Sequence, residues 1–549
     1  MCQSDFIDNY NIASYLPISA KKYPFKKAII EPLAKDSNGL VTYIHYTFKQ
    51  LEERCSKIAY GFDSYGIKKG HKVLLMVTPS LDFLALTYAL YRVGAIPILI
   101  DPGMGKSNLL DCIESVKPDA MVAIPKAHLV KFLFPAKFKS IKCSVIVGKN
   151  YFFKGKTLEQ ICDHTNNDTY PVAQVNKDDM ATMVFTTGST GTPKGVVYFH
   201  EQMRGQVDSI KKEFSITPDD VDFPVFPLFA LFSTAWGITA VIPEMDPTKP
   251  SKADPVKIIA GIKDHGVTIS IGSPALWETV SKYAQNHQIK LNSLKQILMV
   301  GAPVRPEVLK SIQGMLDLKK GHDAYTPYGA TESLPVANIS ATEILKETSN
   351  LTAEGKGTCI GRAFPNMQIE IIEISDEVIE NIKLLDANMI GEIVVKGTVV
   401  TKEYFNRPDA TKLAKIKDKD SLWHRMGDVG YKDKQGRLWF CGRKAHRVET
   451  KTQRLFSVCT EAIFNQHKSV YRSALVGVNN QAIMIVQLKL ENQVSQTTIK
   501  KELFEIALKY DHTKDIKTIL FHEDFPVDIR HNAKIFREKL SVWAEAQIK

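Results

Sequence analysis

The stretch FTTGSTGTPKG, from Phe185 to Gly195, concentrates the residue types that hold a polyphosphate. Small residues let successive backbone N–H groups converge on one anion. The hydroxyls of Thr186, Thr187, Ser189, Thr190 and Thr192 add donors, Gly188 and Gly191 keep the backbone uncrowded, and Lys194 adds a positive charge. Charge-assisted hydrogen bonds contribute roughly 1.5–3 kcal/mol each, so a handful of them hold a triphosphate firmly. The plain alternative is a surface turn, which uses the same residues. Five hydroxyls, three glycines and a lysine in eleven residues weigh against it. A P-loop is also disfavoured, because that motif needs Gly-Lys-Ser/Thr opening a helix. Here Lys194 lies between Pro193 and Gly195, and residues 181–185 and 196–198 read as strands on either side.

Four further segments carry matching chemistry. TPYGATESLP (326–335) sets Tyr328, Thr331 and Glu332 on one turn, an aromatic face for a purine and a carboxylate suited to Mg²⁺ bridging phosphates. HRMGDVGY (424–431) offers Asp428 to the two hydroxyls of a ribose, and FCGRKAHR (440–447) brings Arg443 toward the same place. IRHNAKIFREKL (529–540) presents Lys534 just before a helix. Taken singly, Asp428 is a turn residue, Arg443 a surface cation and Lys534 a solvated lysine. Their order and spacing favour a shared site.

The elements that must position these groups are legible in outline. The 549 residues exceed one hydrophobic core and suggest two to four structural units. Strand-like runs at 73–77, 95–100, 121–124, 144–148, 268–272 and 296–301 alternate with helical patterns near 81–93 and 107–116. That alternation predicts an α/β class with layered, mostly parallel sheets flanked by helices. GEIVVKG (391–397) suggests an antiparallel, barrel-like piece. Beyond about residue 447, strands paired around Asn479-Asn480 and helices near 497–510 and 535–547 suggest a small α+β unit. The boundaries expected are an N-terminal domain over 1–443, a hinge over 444–447 and a C-terminal domain over 448–549.

Composition excludes several classes. A net charge of +11 without basic stripes interleaved with aromatics gives no support for nucleic-acid binding. It does suit attraction to ATP, an acidic carrier or an anionic membrane surface. Eight cysteines with no CxxC pair argue against structural zinc and for a reduced cytoplasmic setting. No basic region precedes an apolar run at the N-terminus, and the most apolar stretch (73–100) is broken by Pro79, Asp82, Arg92 and Pro97, so neither a signal peptide nor a membrane span is expected.

In this order the motifs FTTGSTGTPKG, YGATE, GD, GR and a C-terminal lysine closely resemble the adenylate-forming superfamily of acyl-CoA synthetases, luciferases and peptide-synthetase adenylation domains, over nearly the whole chain. The resemblance implies an ATP- and Mg²⁺-dependent ligase with a small C-terminal domain that rotates between half-reactions. It implies that residues 186–194 hold the β,γ-phosphates and that Gly301, Ala302 and Pro303 line the adenine pocket. Tyr328, followed by Gly329 and Ala330, would lie against adenine, with Thr331 at the α-phosphate and Glu332 on Mg²⁺. Asp428 would take the ribose hydroxyls, Arg443 the ribose or phosphate, and Lys534 the adenylation transition state.

FPLFALF (226–232), IPEMDPTKP (242–250), GSPALW (272–277), GRLWFCGRKAHRV (436–448) and FPVDIRHNAKI (525–535) carry a narrower resemblance. They look like the β-lactone synthetases of bacterial long-chain olefin biosynthesis, which activate a β-hydroxy fatty acid and close it into a lactone with loss of AMP. The runner-up is a fatty acyl-CoA or acyl-carrier ligase, and a nucleotide-binding scaffold without turnover is the reading of another class. Three departures weaken the thioester reading: Ala445 where ligases carry an acidic or lysine hinge, no glycine in ETKTQRLF (449–456), and Ala230 where many place a histidine. Phe226, Phe229, Phe232, Trp236 and Trp277 are the expected lining for an alkyl chain, with plain core as the alternative, and His446 is the candidate base for ring closure. The resemblance is compatible with a homodimer and with assembly alongside other enzymes of the olefin pathway.

Overall fold

The computed structural model describes residues 9–37, 39–163, 169–186, 193–527 and 535–548. Two seven-stranded sheets form the layered part. The first runs, in spatial order, Lys156–Thr157, Cys143–Ile146, Ala120–Ala123, Lys72–Met76, Ile96–Ile100, Met180–Thr186 and Lys194–Phe199. All its neighbours are parallel except the last pair, which is antiparallel. The second contains Asp323–Tyr325, Gln296–Met299, Ile269–Gly272, Val221–Pro224 and Thr239–Val241 as a parallel block, extended by Lys27–Lys35 and Val41–Thr47. Fully buried runs such as ISIG and AMVA are what sheets covered by helices on both faces require.

The helices read from periodicity are present: Leu81–Arg92 is capped by the Ser80 side chain on the Phe83 N–H, and Lys106–Val116 follows Ile96–Ile100. The Phe48–Tyr65 helix starts with a Thr47/Gln50 capping box and stops at Gly66, whose φ of 97° suits only glycine. One hydrophobic cluster, containing Phe62, Tyr88, Leu231 and Val336, joins these layers into a continuous core.

An eight-stranded sheet follows, with every described pairing antiparallel. It includes Tyr328–Ala330, Ser333–Asn338, Gly391–Gly397, Ser421–Lys432 and Leu438–Arg443. After a short helical turn at Lys444–His446 the chain builds its own three-stranded sheet from Val470–Val478, Gln481–Leu488 and Thr518–Phe521. Asn479 and Asn480, both at positive φ, make the tight turn between the first two strands. The helices Gln496–Ala507 and Arg537–Ile548 match the patterns expected there.

Candidate active site

Glu332 and Thr331 sit on the tip of a hairpin, which makes the hairpin's anchoring the first question. Tyr328 pairs with Ala337 and Ala330 with Ser333, leaving Thr331 and Glu332 between the strands. Three groups from other elements hold that tip. The Tyr198 hydroxyl donates to the Thr331 carbonyl, Gln206 Nε2 donates to the Leu334 carbonyl at 2.9 Å, and Thr401 gives the Glu332 carbonyl its N–H at 2.9 Å and its hydroxyl at 3.0 Å.

Strand register brings the ribose candidates together. Asp428 on Ser421–Lys432 lies directly opposite Arg443 at the end of Leu438–Arg443. The guanidinium stands 2.9 Å from Asp428 Oδ1, and the Tyr328 hydroxyl donates to Oδ2. Burial pushes the Asp428 carboxyl above its usual range, with Arg443 pulling the other way. Burial likewise raises the Tyr328 phenol, with the Asp428 charge adding to it. Although Arg443 is close, Oδ1 has no well-aligned hydrogen-bond donor. That spare acceptor is what a ribose hydroxyl would satisfy.

Lys194 and Glu332 meet through a residue the motif reading did not single out. Residues 403–405 add to the Lys194–Phe199 strand through a Val196–Tyr404 bridge and a 2.8 Å bond from the Phe405 N–H to the Gly195 carbonyl. This puts the Tyr404 ring 4.9 Å from the Lys194 ammonium and the Tyr404 hydroxyl 2.7 Å from Glu332 Oε1. Behind them Lys415 turns its ammonium onto the Thr401 carbonyl and, at 3.4 Å, its hydroxyl. Burial brings Lys415 down to about 7, with Glu332 opposing the shift. His424 is held well below its ordinary value by burial and then by the Lys415 charge.

Thr186 ends its strand in register with Lys194. Thr187, Gly188, Ser189, Thr190, Gly191, Thr192 and Lys534 lie outside the described residues. Gly301, Ala302 and Pro303 follow the Gln296–Met299 strand, with Gly301 at φ 98°. The neighbouring strand, Asp323–Tyr325, leads directly into Tyr328.

Four of the five aromatic candidates form a ladder: ring centroids are 5.9 Å apart for Phe226–Phe229, 5.6 Å for Phe229–Phe232 and 6.0 Å for Phe232–Trp236. Phe232 and Trp236 are buried, and the Trp236 indole donates to the Val207 carbonyl at 2.9 Å. Trp277 is placed elsewhere, in the cluster with Phe223 and Leu276. A tight apolar cleft of about 20 Å³ opens beside the ladder, lined by Phe83, Pro224, Val225, Ala230, Ile242 and Met245. Asp222 is also sealed in next to the ladder, taking the Ser233 hydroxyl at 2.5 Å, and burial pushes it up to about 7.

Tyr198, Asp222, Thr401, Tyr404 and Lys415 were not found by motif reasoning. The signal available was slight: TKEYFNRPDA reads as a polar loop, and only the strand pairing at 403–405 reveals why an aromatic sits in it.

Residues 16–405 match the AMP-binding enzyme family model, and the chain belongs to that family. It is 41% identical to an olefin beta-lactone synthetase of Xanthomonas campestris pv. campestris and 39% identical to one of Stenotrophomonas maltophilia, each alignment covering 98% of both chains. Among solved structures it resembles the amide bond synthetase McbA of Marinactinospora thermotolerans. The TM-score is 0.78 at 19% identity, over 97% of this chain and 99% of that one.

Proposed function

We propose that the chain activates a long-chain β-hydroxy fatty acid with ATP and closes it into a β-lactone. The carboxylate oxygen attacks the α-phosphorus and pyrophosphate leaves. The β-hydroxyl oxygen then attacks the acyl-adenylate carbonyl, its proton passes to a base, and the carbonyl–phosphate bond breaks to release AMP. The observation that carries the first step is the pair of contact chains that converge on one hairpin, Lys194–Tyr404–Glu332 at its tip and Tyr328–Asp428–Arg443 at its first strand. Such a site works by positioning and charge neutralisation, without a protein nucleophile. The two olefin beta-lactone synthetases, each aligned over 98% of both chains, support the second step over thioester formation.

The residues fit a divalent cation held mainly by phosphate. Among the described residues no group of three His, Cys, Asp or Glu side chains could hold a metal alone, while Glu332 has one carboxylate oxygen bonded to Tyr404 and a second without a described donor. Glu332 would hold Mg²⁺ with the nucleotide and water completing its shell. When bound, the ion neutralises phosphate charge. Tyr404 orients Glu332, and Thr401 fixes the backbone that carries it. Ring closure gains from being intramolecular, with effective concentrations on the order of 10⁵ M or more in well-aligned cases. The small unit beyond residue 447 supplies Lys534 to the adenylation step, with 444–447 as its hinge, and His446 is the proposed base.

Incubation with 3-hydroxy fatty acids and ATP, with and without coenzyme A, tests the reading by mass spectrometry. A lactone formed without coenzyme A is the expected product. A coenzyme-A-dependent thioester with no lactone would overturn it in favour of the ligase.

A further inference from the structure

Far from the nucleotide residues, one stretch of sequence has an unusual charge pattern. Residues 120–158 contain eight lysines and no Asp or Glu, which accounts for most of the net +11 of the chain. The structure folds this stretch onto one edge of the first sheet, through the helix Pro125–Leu133, the strand Cys143–Ile146 and the segment 149–155 that precedes the edge strand Lys156–Thr157.

The helix is inverted relative to an ordinary surface helix. Leu129, Phe132 and Leu133, at i, i+3 and i+4, make an apolar stripe that faces solvent, and Lys126 extends the same stripe by one turn. Phe132 is 66% exposed. Next to it Tyr151 and Phe152 are 72% and 67% exposed, and the Phe152 ring meets Phe132 edge-on at 6.2 Å and packs on Phe153 at 4.4 Å. A contiguous apolar patch of this kind on a soluble surface marks an interaction site.

Its lysines are largely unneutralised. Lys137 pairs with Asp111 and Glu114, and Lys131 donates to the Ser144 hydroxyl. Lys126, Lys139, Lys142, Lys149 and Lys154 are exposed, and among the described residues none has a carboxylate within 4 Å. Exposed aromatic rings with unpaired lysines on the same helix and the same 149–154 segment match the two layers of an anionic bilayer, in which rings enter the interface and ammonium groups meet phosphate. No described helix is long and apolar enough to cross a membrane, so the match is to a surface that is touched and not spanned.

We infer that the Pro125–Leu133 helix and the 149–154 segment form a docking surface for an anionic lipid bilayer. The inference does not depend on which product the enzyme releases.

Cosedimentation of the full chain with phosphatidylglycerol-containing vesicles, against pure phosphatidylcholine vesicles, tests this at low and high salt. Binding to the anionic vesicles only, weakened by salt, is expected. Each lysine near the surface contributes about a fivefold factor. The triple variant Lys126→Glu, Lys149→Glu, Lys154→Glu should therefore bind at least about tenfold more weakly. Phe132→Ser with Tyr151→Ser and Phe152→Ser should also lose binding. Both variants alter exposed side chains, so melting temperature and pyrophosphate exchange should match the parent. Absence of vesicle binding, or binding that both variants keep, would sink the proposal. So would equal, patch-dependent binding to an acidic polypeptide, which would make the patch a protein-docking face.

Discussion

Tyr404 touches both charges that a polyphosphate site needs, through its ring to Lys194 and its hydroxyl to Glu332. Hydrogen bonds to charged groups are worth roughly 1.5–3 kcal/mol. Tyr404→Phe keeps the ring and removes the bond, so ATP–pyrophosphate exchange should fall about 10- to 100-fold and the Mg²⁺ concentration for half-maximal rate should rise. An unchanged Mg²⁺ dependence would mean the hydroxyl does not orient Glu332. Lys415 makes a different residue-scale prediction. Its folded value is brought to about 7 by burial, against 10.5 ordinarily. Between these values the unfolded chain carries the extra proton, so the Lys415 contribution to stability grows as pH rises from about 7 to about 10.5. Below about pH 7 the penalty of charging the buried amine is complete. Lys415→Met should raise stability below pH 7 and flatten the rise above it. Urea midpoints across that range for parent and variant check the difference, and parallel curves would refute it.

At the scale of elements, the antiparallel sheet positions Asp428 by means of a buried ion pair. Arg425, three residues before Asp428 on the same strand, meets Glu392 of the neighbouring strand at 2.7 and 3.0 Å. The guanidinium also donates to the carbonyls of Glu377, Leu413 and Ser375, and Lys444 reaches Glu392 at 3.1 Å. Removing one partner leaves a buried charge, at a typical cost of about 3–5 kcal/mol. Glu392→Ala should lower stability by that much in urea unfolding and weaken nucleotide binding through the displaced strand. A loss under 1 kcal/mol would show that water or relaxation replaces the carboxylate.

The same elements show what a sequence displays and what it hides. The strands expected at 73–77, 95–100, 121–124 and 144–148 and the helices expected near 81–93 and 107–116 lie within a residue or two of those runs, because each is one local apolar pattern, whereas the Pro125–Leu133 helix was not anticipated. The Lys27–Lys35 and Val41–Thr47 pair was not anticipated; the first strand has exposed lysines at both ends and the second has no fully buried residue, which blurs the alternation. Asp428 and Arg443 were legible as motif residues, but their pairing depends on register between two strands. Trp277 shares its composition with the Phe226–Trp236 run and yet lies in another cluster, because layer packing and not chemistry separates them.

Over the whole molecule, the antiparallel sheet and the C-terminal unit meet at an imperfectly filled seam. A cavity of about 490 Å³ lies between Lys356, Asn388 and Tyr431 on one side and Arg454, Phe456, Thr460 and His512 on the other. Connections across the seam include Gln466 Nε2 to the Ala353 carbonyl at 2.6 Å and the ion pair of Arg447 with Asp376. Arg447 holds the Asp376 carboxyl below its usual range. Beside the cavity, Cys459 and Phe456 of the C-terminal unit pack with Val429, Cys441 and Tyr431 of the sheet, so parting the two would expose apolar surface as well as break the ion pair. The proposed approach of this unit to the nucleotide for one step and its withdrawal for the next would have to open that contact. If Lys534 serves only the adenylation step, Lys534→Ala should reduce pyrophosphate exchange by two orders of magnitude or more with ATP affinity nearly intact. The same variant given preformed β-hydroxyacyl-adenylate should still release AMP and lactone at close to the parent rate. Equal loss in both assays would place the lysine in both steps and remove the reason for the unit to move.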